Sequence, residues 1–553
     1  MNITRNIAAE FEFVSNITYE RPFYDMQLDV EFTSETGIKL TVPAFWDGGN
    51  IFKARFALPE QGGWRYKTVC CHGSDGANES LHQCGEITVL DYEGELDIYK
   101  RGHVKTESGT RYFMYGDGSP FFYLGDTHWN MPAEEYDSAG EHARGIETAS
   151  HFQYIIDKRV QQCFTVYQSE PISAKYDLRK GFTEEVLAGF RDLDRRFAYI
   201  AQKGLVHANA MLVFANELAL YLSDYPDSYL ELLCRYWVAR YSAYPVLWTM
   251  AQEVDCDFYF YRGDQKIWDA KTNPWKKVAE WTHNYDPYKR PLTAHQMCAT
   301  VDNPIGVCCS TSSFRELKGH GWYGVQWSPS LNNKPDFRLA RDYWEHGQGK
   351  VTVNYEGRYD YLWTKHFGAR VQGWTAYLNG MYGYGYGAAD IWLYKSNYDM
   401  DTTSNDGVEE IAPADKQTTW GESVEFETAL QLGNMRVFFE KFAWQRLVPR
   451  FDDAAWCGIA SAYYSLATID NELYVAYFYN KSSETGALRG LRGSYSKHWY
   501  NPRANEYSTE EIIDCDGEYI IENKPDIDDW VLILKKINHT DIRCDRHTGH
   551  SQY

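Results

Sequence analysis

No stretch of this 553-residue chain approaches 18 uninterrupted apolar residues, so no helical membrane span is expected. No N-terminal segment pairs basic residues with an apolar run of about 7–15 residues, so no secretory signal peptide is expected. Cationic charge is in deficit. The 55 Lys and Arg stand against 77 Asp and Glu, and the net charge of −22 argues against a nucleic-acid or anionic membrane partner. The 12 cysteines are scattered, with adjacent pairs at Cys70-Cys71 and Cys308-Cys309. Adjacent cysteines bond each other only with strain, and no Cys-x-x-Cys or Cys/His cluster points to zinc. Reduced thiols in a cytoplasmic protein are the simplest expectation, with no metal or other cofactor implied.

Aromatic residues are abundant instead, at 16% of the chain, with 44 Tyr and 19 Trp. Much of that excess is core and strand packing. Sugars, however, bind by stacking their C–H faces on aromatic rings, so the composition mildly favours a carbohydrate partner. Self-association into a homo-oligomer is left open.

The length exceeds what one core supports and suggests several domains. Residues 1–95 alternate short strand-like runs with turn signals, such as Met26–Phe32, Lys39–Val42 and Phe52–Phe56 separated by Asp47-Gly-Gly-Asn50. Even spacing of this kind predicts an N-terminal β-sandwich. Gln61-Gly-Gly-Trp-Arg-Tyr-Lys-Thr68 reads as a tight turn feeding an edge hairpin. From 96 to 447, apolar runs alternate with segments of helical period, which predicts an α/β unit. Its candidate strands are Phe121–Gly125, Cys163–Gln168, His207–Phe214, Val246–Ala251, Pro291–Ala294, Gly324–Trp327, Val351–Tyr355 and Tyr382–Tyr386. Eight strands in that length suit a (β/α)8 TIM barrel. Residues 448–553 return to short strands and predict a C-terminal β-sandwich domain.

Two acids close strong strand signals. Glu253 ends Tyr244-Pro-Val-Leu-Trp-Thr-Met-Ala-Gln-Glu253, and Glu356 follows Lys350-Val-Thr-Val-Asn-Tyr355. Such acids at the C-terminal ends of parallel strands would form the acid/base and nucleophile of a glycosidase. Asp255 competes with Glu253 if the strand ends later.

Sequence motifs extend this reading. Pro120-Phe-Phe-Tyr-Leu-Gly-Asp-Thr-His-Trp-Asn130 resembles the first strand of apiosidase-like glycoside hydrolases, a clan A group. Arg240 to Glu253, Tyr285 to His295, Asn354-Tyr-Glu-Gly-Arg-Tyr359 and Gly380 to Gly387 resemble the fourth, fifth, seventh and eighth strand regions of such barrels. The flanks resemble the β-domains that accompany them. The resemblance implies a retaining, exo-acting glycoside hydrolase that releases a terminal sugar, with Glu253 as acid/base and Glu356 as nucleophile. It further implies substrate contacts from Asp126, His128, Gln168, Gln252, His295, Trp327 and Arg358, with Glu170, Asn216 and Glu217 as weaker candidates. Gln252 departs from the Asn usual before the acid/base. A carbohydrate-binding or scaffolding protein on a degenerate barrel stays open, as does a lyase or transglycosidase.

Overall fold

A computed structural model describes residues 1–72, 78–138, 142–143, 146–172, 178, 181–212, 218, 227–254, 261–268, 272–296, 314–328, 336–360, 366–392, 419–458 and 464–537. Three of the candidate site residues, Asn216, Glu217 and Asp255, lie outside them.

Eight short runs pair side by side, all parallel: β1 (Leu124–His128), β2 (Val166–Ser169), β3 (Val206–Ala210), β4 (Val246–Met250), β5 (His295–Gln296), β6 (Trp322–Val325), β7 (Val351–Asn354) and β8 (Tyr384–Tyr386). Their order is β4-β3-β2-β1-β8-β7-β6-β5. The two edges meet at one parallel bridge, Trp248 with Leu292. Two backbone bonds support it, from Trp248 N to Pro291 O at 3.0 Å and from Thr293 N to Trp248 O at 2.9 Å. The result is a nearly closed parallel barrel. Every residue of β2, β3, β4, β6, β7 and β8 is buried, because one face fills the interior and the other lies under helices.

The helices fall between the strands: α1 (His151–Gln161), α2 (Glu184–Gln202), α3 (Asp227–Tyr241), α4 (Trp275–Tyr285), α5 (Arg338–His346), α6 (His366–Leu378) and, after β8, α7 (Glu427–Phe439). In α2 the Thr183 side chain caps the first turn, and Val186, Phe190, Leu193, Phe197 and Ile200 recur at helical spacing on its buried face. None of the helices among the described residues is long and apolar enough to cross a membrane.

Before the barrel, a five-stranded and a three-stranded sheet share one core. Val30, Phe32, Trp64 and Ile87 come from the first, and Phe13, Phe52, Ala54 and Phe56 from the second. Gly62–His72 is no edge hairpin. It lies inside the larger sheet, paired on both sides between Gln27–Ser34 and Cys84–Leu90, with Trp64 in the core. Arg55 carries this unit onto the barrel helices: it bonds Asp194 of α2 twice at 3.1 Å and donates to the Arg240 carbonyl of α3 at 2.7 Å.

After the barrel comes an antiparallel seven-stranded sheet whose core strands are Tyr464–Ile469, Leu473–Phe478, Trp530–Lys536 and Gly486–Asn501. It has no separate border with the barrel. Val475, Tyr477, Tyr500, Val531 and Ile533 belong to the same packed cluster as Trp374 of α6 and Phe438 of α7. Buried Asp529 fixes the contact, accepting from Arg370 Nε at 2.8 Å and Nη2 at 2.7 Å.

Candidate active site

The site forms where β4, β6 and β7 end. After β4, the chain turns sharply with Met250 and Glu253 at φ 61° and 51°, in the left-handed region that side chains other than glycine seldom occupy. Surrounding bonds hold the turn: Gln252 N donates to Glu170 Oε1 at 2.9 Å, and Val254 N to the His295 carbonyl at 3.2 Å. The half-buried Glu253 side chain is thereby presented beyond the strand end.

The ends of β6 and β7 are locked together by Asn354, whose side chain accepts from Trp327 N at 3.0 Å and donates to Trp327 O at 2.9 Å. Tyr355 N donates to Val325 O at 2.8 Å, and Glu356 N to the same oxygen at 3.3 Å. This lock sets Gln326 beside Glu356. Gln326 Nε2 donates to Glu253 Oε1 at 2.8 Å and to Glu356 Oε2 at 3.1 Å. Those two bonds end to end limit the separation of the bridged oxygens to about 6 Å.

Glu356 is 6% exposed and is approached from both sides. Oε1 accepts from Trp129 Nε1 at 3.1 Å and from the Tyr359 hydroxyl. Oε2 takes the Gln326 amide and lies 3.1 Å from His295 Nε2. Burial, and then the neighbouring Glu356 charge, push the Tyr359 hydroxyl well above its usual range, so it stays protonated and can donate. Gly387, just past β8, makes room for that ring: a Cβ there would stand 1.9 Å from Tyr359 Cδ1. Trp129 and His295 stack with ring centroids 5.6 Å apart.

The structure therefore gathers Glu253, Glu356 and His295, with Gln252 in the turn beside them. Gln168 sits in the barrel interior directly below, donating to the Tyr355 carbonyl at 2.9 Å and accepting from Tyr123 at 3.1 Å. Trp327 is buried, its backbone in the Asn354 lock. Arg358 is held by its backbone, with N donating to Gln372 Oε1 at 2.7 Å. The side chains that contact the Glu356 carboxylate among the described residues are those of Trp129, Tyr359, Gln326 and His295.

Asp126 and His128 are turned elsewhere. Both lie within β1, which runs to His128 rather than ending at Gly125. Asp126 Oδ2 accepts from Arg159 Nε at 2.6 Å and lies 3.0 Å from His128 Nε2. His128 Nδ1 stands 2.6 Å from Glu134 Oε1, and Tyr167 donates to Glu134 Oε2 at 3.1 Å. Burial works against a charge on His128, but Glu134 and then Asp126 outweigh it and push its pKa up to about 9. The same contacts, led by Arg159 and opposed by burial, hold Asp126 below the usual carboxylate range. These groups form a buried ionic chain that braces the barrel wall.

Trp129 and Tyr359 lie inside the strand-one and strand-seven motifs and Gln326 inside a candidate strand, but the sequence alone assigns none of them a site role. No group of three or more His, Cys, Asp or Glu side chains among the described residues is placed to hold a metal.

Comparison with known proteins agrees with this architecture. A family model described as apiosidase-like, catalytic domain, matches residues 107–446, and a domain of unknown function (DUF5060) matches residues 5–70. A candidate glycoside hydrolase from Bacteroides vulgatus ATCC 8482 superposes with a TM-score of 0.68 at 16% identity, covering 97% of this chain and 100% of that one. A family 5 glycoside hydrolase from the same organism gives 0.59 at 15% identity, covering 79% and 94%. No curated protein sequence matches. The two structural likenesses establish a shared fold, while the family model spans well over half of the chain. The chain belongs to the apiosidase-like family and is a glycoside hydrolase.

Proposed function

We propose that the protein is a retaining, exo-acting glycosidase on a (β/α)8 barrel, flanked by a β-sandwich at 1–95 and a β-domain at 448–553. Glu356 attacks the anomeric carbon while Glu253 protonates the leaving oxygen. Glu253 then activates water to hydrolyse the glycosyl-enzyme, returning both carboxyls to their starting states. The observation that carries this reading is the single Gln326 amide nitrogen shared by both carboxylates. A limit of about 6 Å on the bridged oxygens suits the roughly 5–5.5 Å of retaining enzymes better than the 6.5–9.5 Å of inverting ones. Trp129, Tyr359 and His295 hold the nucleophile's orientation.

A terminal sugar of a small glycoside or plant-type oligosaccharide is the proposed substrate, with Trp129, His295 and Gln252 nearest the reacting pair. The described cysteines are free thiols, which suits a cytoplasmic enzyme.

The test is a screen of nitrophenyl and plant glycosides, followed by NMR of the first-formed anomer. Retention of configuration, together with near-complete loss of turnover in Glu356→Ala, supports the reading. Inversion, or full turnover by Glu356→Ala, overturns it.

A further inference from the structure

A cavity of about 440 Å3 opens between the N-terminal strands and the segment Pro287–Arg290 that leads into β5. The catalytic acids follow the C-terminal ends of the strands, so this cavity lies at the opposite end of the barrel. Its walls carry Arg5, Lys100, Arg101, Lys105, Lys289 and Arg290, against one lining acid, Asp117. The lining itself is thus mainly cationic in a chain of net charge −22.

Four of the cations have acidic partners on their outer side: Arg5 with Asp91, Lys100 with Glu95, Arg101 with Asp97 and Lys105 with Glu107. Pairs this exposed are weak and readily exchanged. Arg290 is different. It is 8% exposed and meets neutral acceptors, the Ser242 carbonyl at 3.3 Å from Nε and 3.2 Å from Nη2, and His103 Nδ1 from Nη2. Its Nη1 has no hydrogen-bond partner among the described residues, and no described carboxylate is within ion-pair distance of the guanidinium.

The groups around it compensate that charge only in part. His103 is neutral, because burial and then Arg290 itself push its pKa well down. Its Nε2 lies 2.7 Å from the Asn6 carbonyl. Asp286 is already engaged, accepting from Trp248 Nε1 and the backbone N–H of Arg290 on one oxygen and the backbone N–H of Tyr288 on the other. Lys289 Nζ bonds carbonyls, His283 at 2.7 Å and Asn284 at 3.1 Å. Burial works against the charge on Arg290 and outweighs the support of Asp286, so a buried and only partly compensated cation borders this cavity.

We propose that this cavity is an oxyanion site, taking a phosphate or carboxylate group on Arg290 with Lys289, Lys105 and Arg5 around it. The Nη1 amino group, the part of the guanidinium not engaged by Ser242 and His103, can donate to such a group. The volume exceeds that of bare phosphate and accommodates a small molecule that carries the anionic group. Its walls come from both the N-terminal strands and the barrel, so an occupant bridges the two. The site is independent of the catalytic reading.

The experiment is isothermal titration of the full chain with inorganic phosphate, glucose 6-phosphate and succinate, with chloride holding ionic strength constant. One-to-one binding of at least one of them is expected, weakened at least tenfold in Arg290→Gln. Tighter binding of glucose 6-phosphate than of phosphate identifies an anion carried on a sugar. The reverse order identifies the free ion, and preference for succinate identifies a carboxylate. If Arg290→Gln does not fold, the double variant Lys105→Gln/Lys289→Gln carries the test, with at least threefold weakening expected. Absence of binding by all three anions, or unchanged affinity in the folded variants, overturns the proposal.

Discussion

Trp129 and Glu356 meet across 227 residues of chain, the indole Nε1 donating to Oε1 at 3.1 Å. Trp129 directly follows β1 and Glu356 lies two residues past β7, so the contact crosses the barrel mouth. On its other side the indole stacks against His295, which itself reaches the second Glu356 oxygen. The ring thus supports the carboxylate both directly and through its neighbour.

Trp129→Phe keeps the stacked ring and removes the donor. Losing a hydrogen bond to a charged group costs about 1.5–3 kcal/mol, so kcat is expected to fall roughly 10- to 150-fold with a smaller change in KM. Steady-state kinetics on the best glycoside from the screen checks this. A kcat within twofold of the parent would show that the indole N–H does not support the nucleophile.

Gln326→Leu removes one donor shared by two acids. Losing a hydrogen bond to a charged group costs about 1.5–3 kcal/mol, so kcat/KM is expected to fall at least tenfold in steady-state kinetics. A kcat/KM within twofold of the parent would mean that the bridge does not act on the reacting acids.

Glu253→Gln tests the acid/base role through leaving-group dependence. Removing a general acid lowers turnover by about 10²–10⁴-fold for substrates with poor leaving groups. Activated nitrophenyl glycosides, which depart with little protonation, should suffer far less in the first step. An equal loss across both substrate types would reassign the proton donor.

The His128 network predicts an alkaline weakness. Its folded pKa, about 9, lies above the ordinary 6.5, so its contribution is complete below pH 6.5 and is lost as pH rises through 9. Across that window stability should fall by about 1.4 kcal/mol per pH unit from this group. Thermal unfolding of His128→Gln should show lower Tm at pH 6 and a flatter descent between pH 7 and 9. A parallel descent in both proteins would count against it.

Asp194→Ala leaves two buried guanidinia, Arg55 and Arg240, without their shared acid. Removing one partner of such a group destabilises by about 3–5 kcal/mol. Denaturant unfolding is the check, and a loss under 1 kcal/mol would mean that Glu10 and Asp47 suffice.

Four or five of the eight strands were legible as apolar runs, since parallel strands are buried on both faces, and the rest followed from the expected barrel; all eight candidates fall on or within a few residues of observed strands. Their ends were harder to read, and a shift of one residue turns a side chain to the opposite face. Strand β6 ends at Val325, so Gln326 rather than Trp327 faces the acids. Strand β1 continues to His128, which leaves Asp126 and His128 in the wall and sends Trp129 to the mouth. Tyr359 closes the strand-seven motif, but its contact with Glu356 was not legible, since its place depends on the space above Gly387. The fifth strand was expected at Pro291–Ala294, where the structure has the bridge at Leu292 and regular pairing only at His295–Gln296.

The cluster joining Trp374 and Phe438 to Tyr477, Tyr500 and Ile533 bears on how this enzyme can be divided. Composition changes near residue 447, but the packing does not. A chain cut there would face water with the side of α6 that now meets Leu473–Phe478, and Arg370 would lose Asp529. The shared core therefore predicts that the barrel and the sheet within residues 464–537 unfold in a single transition.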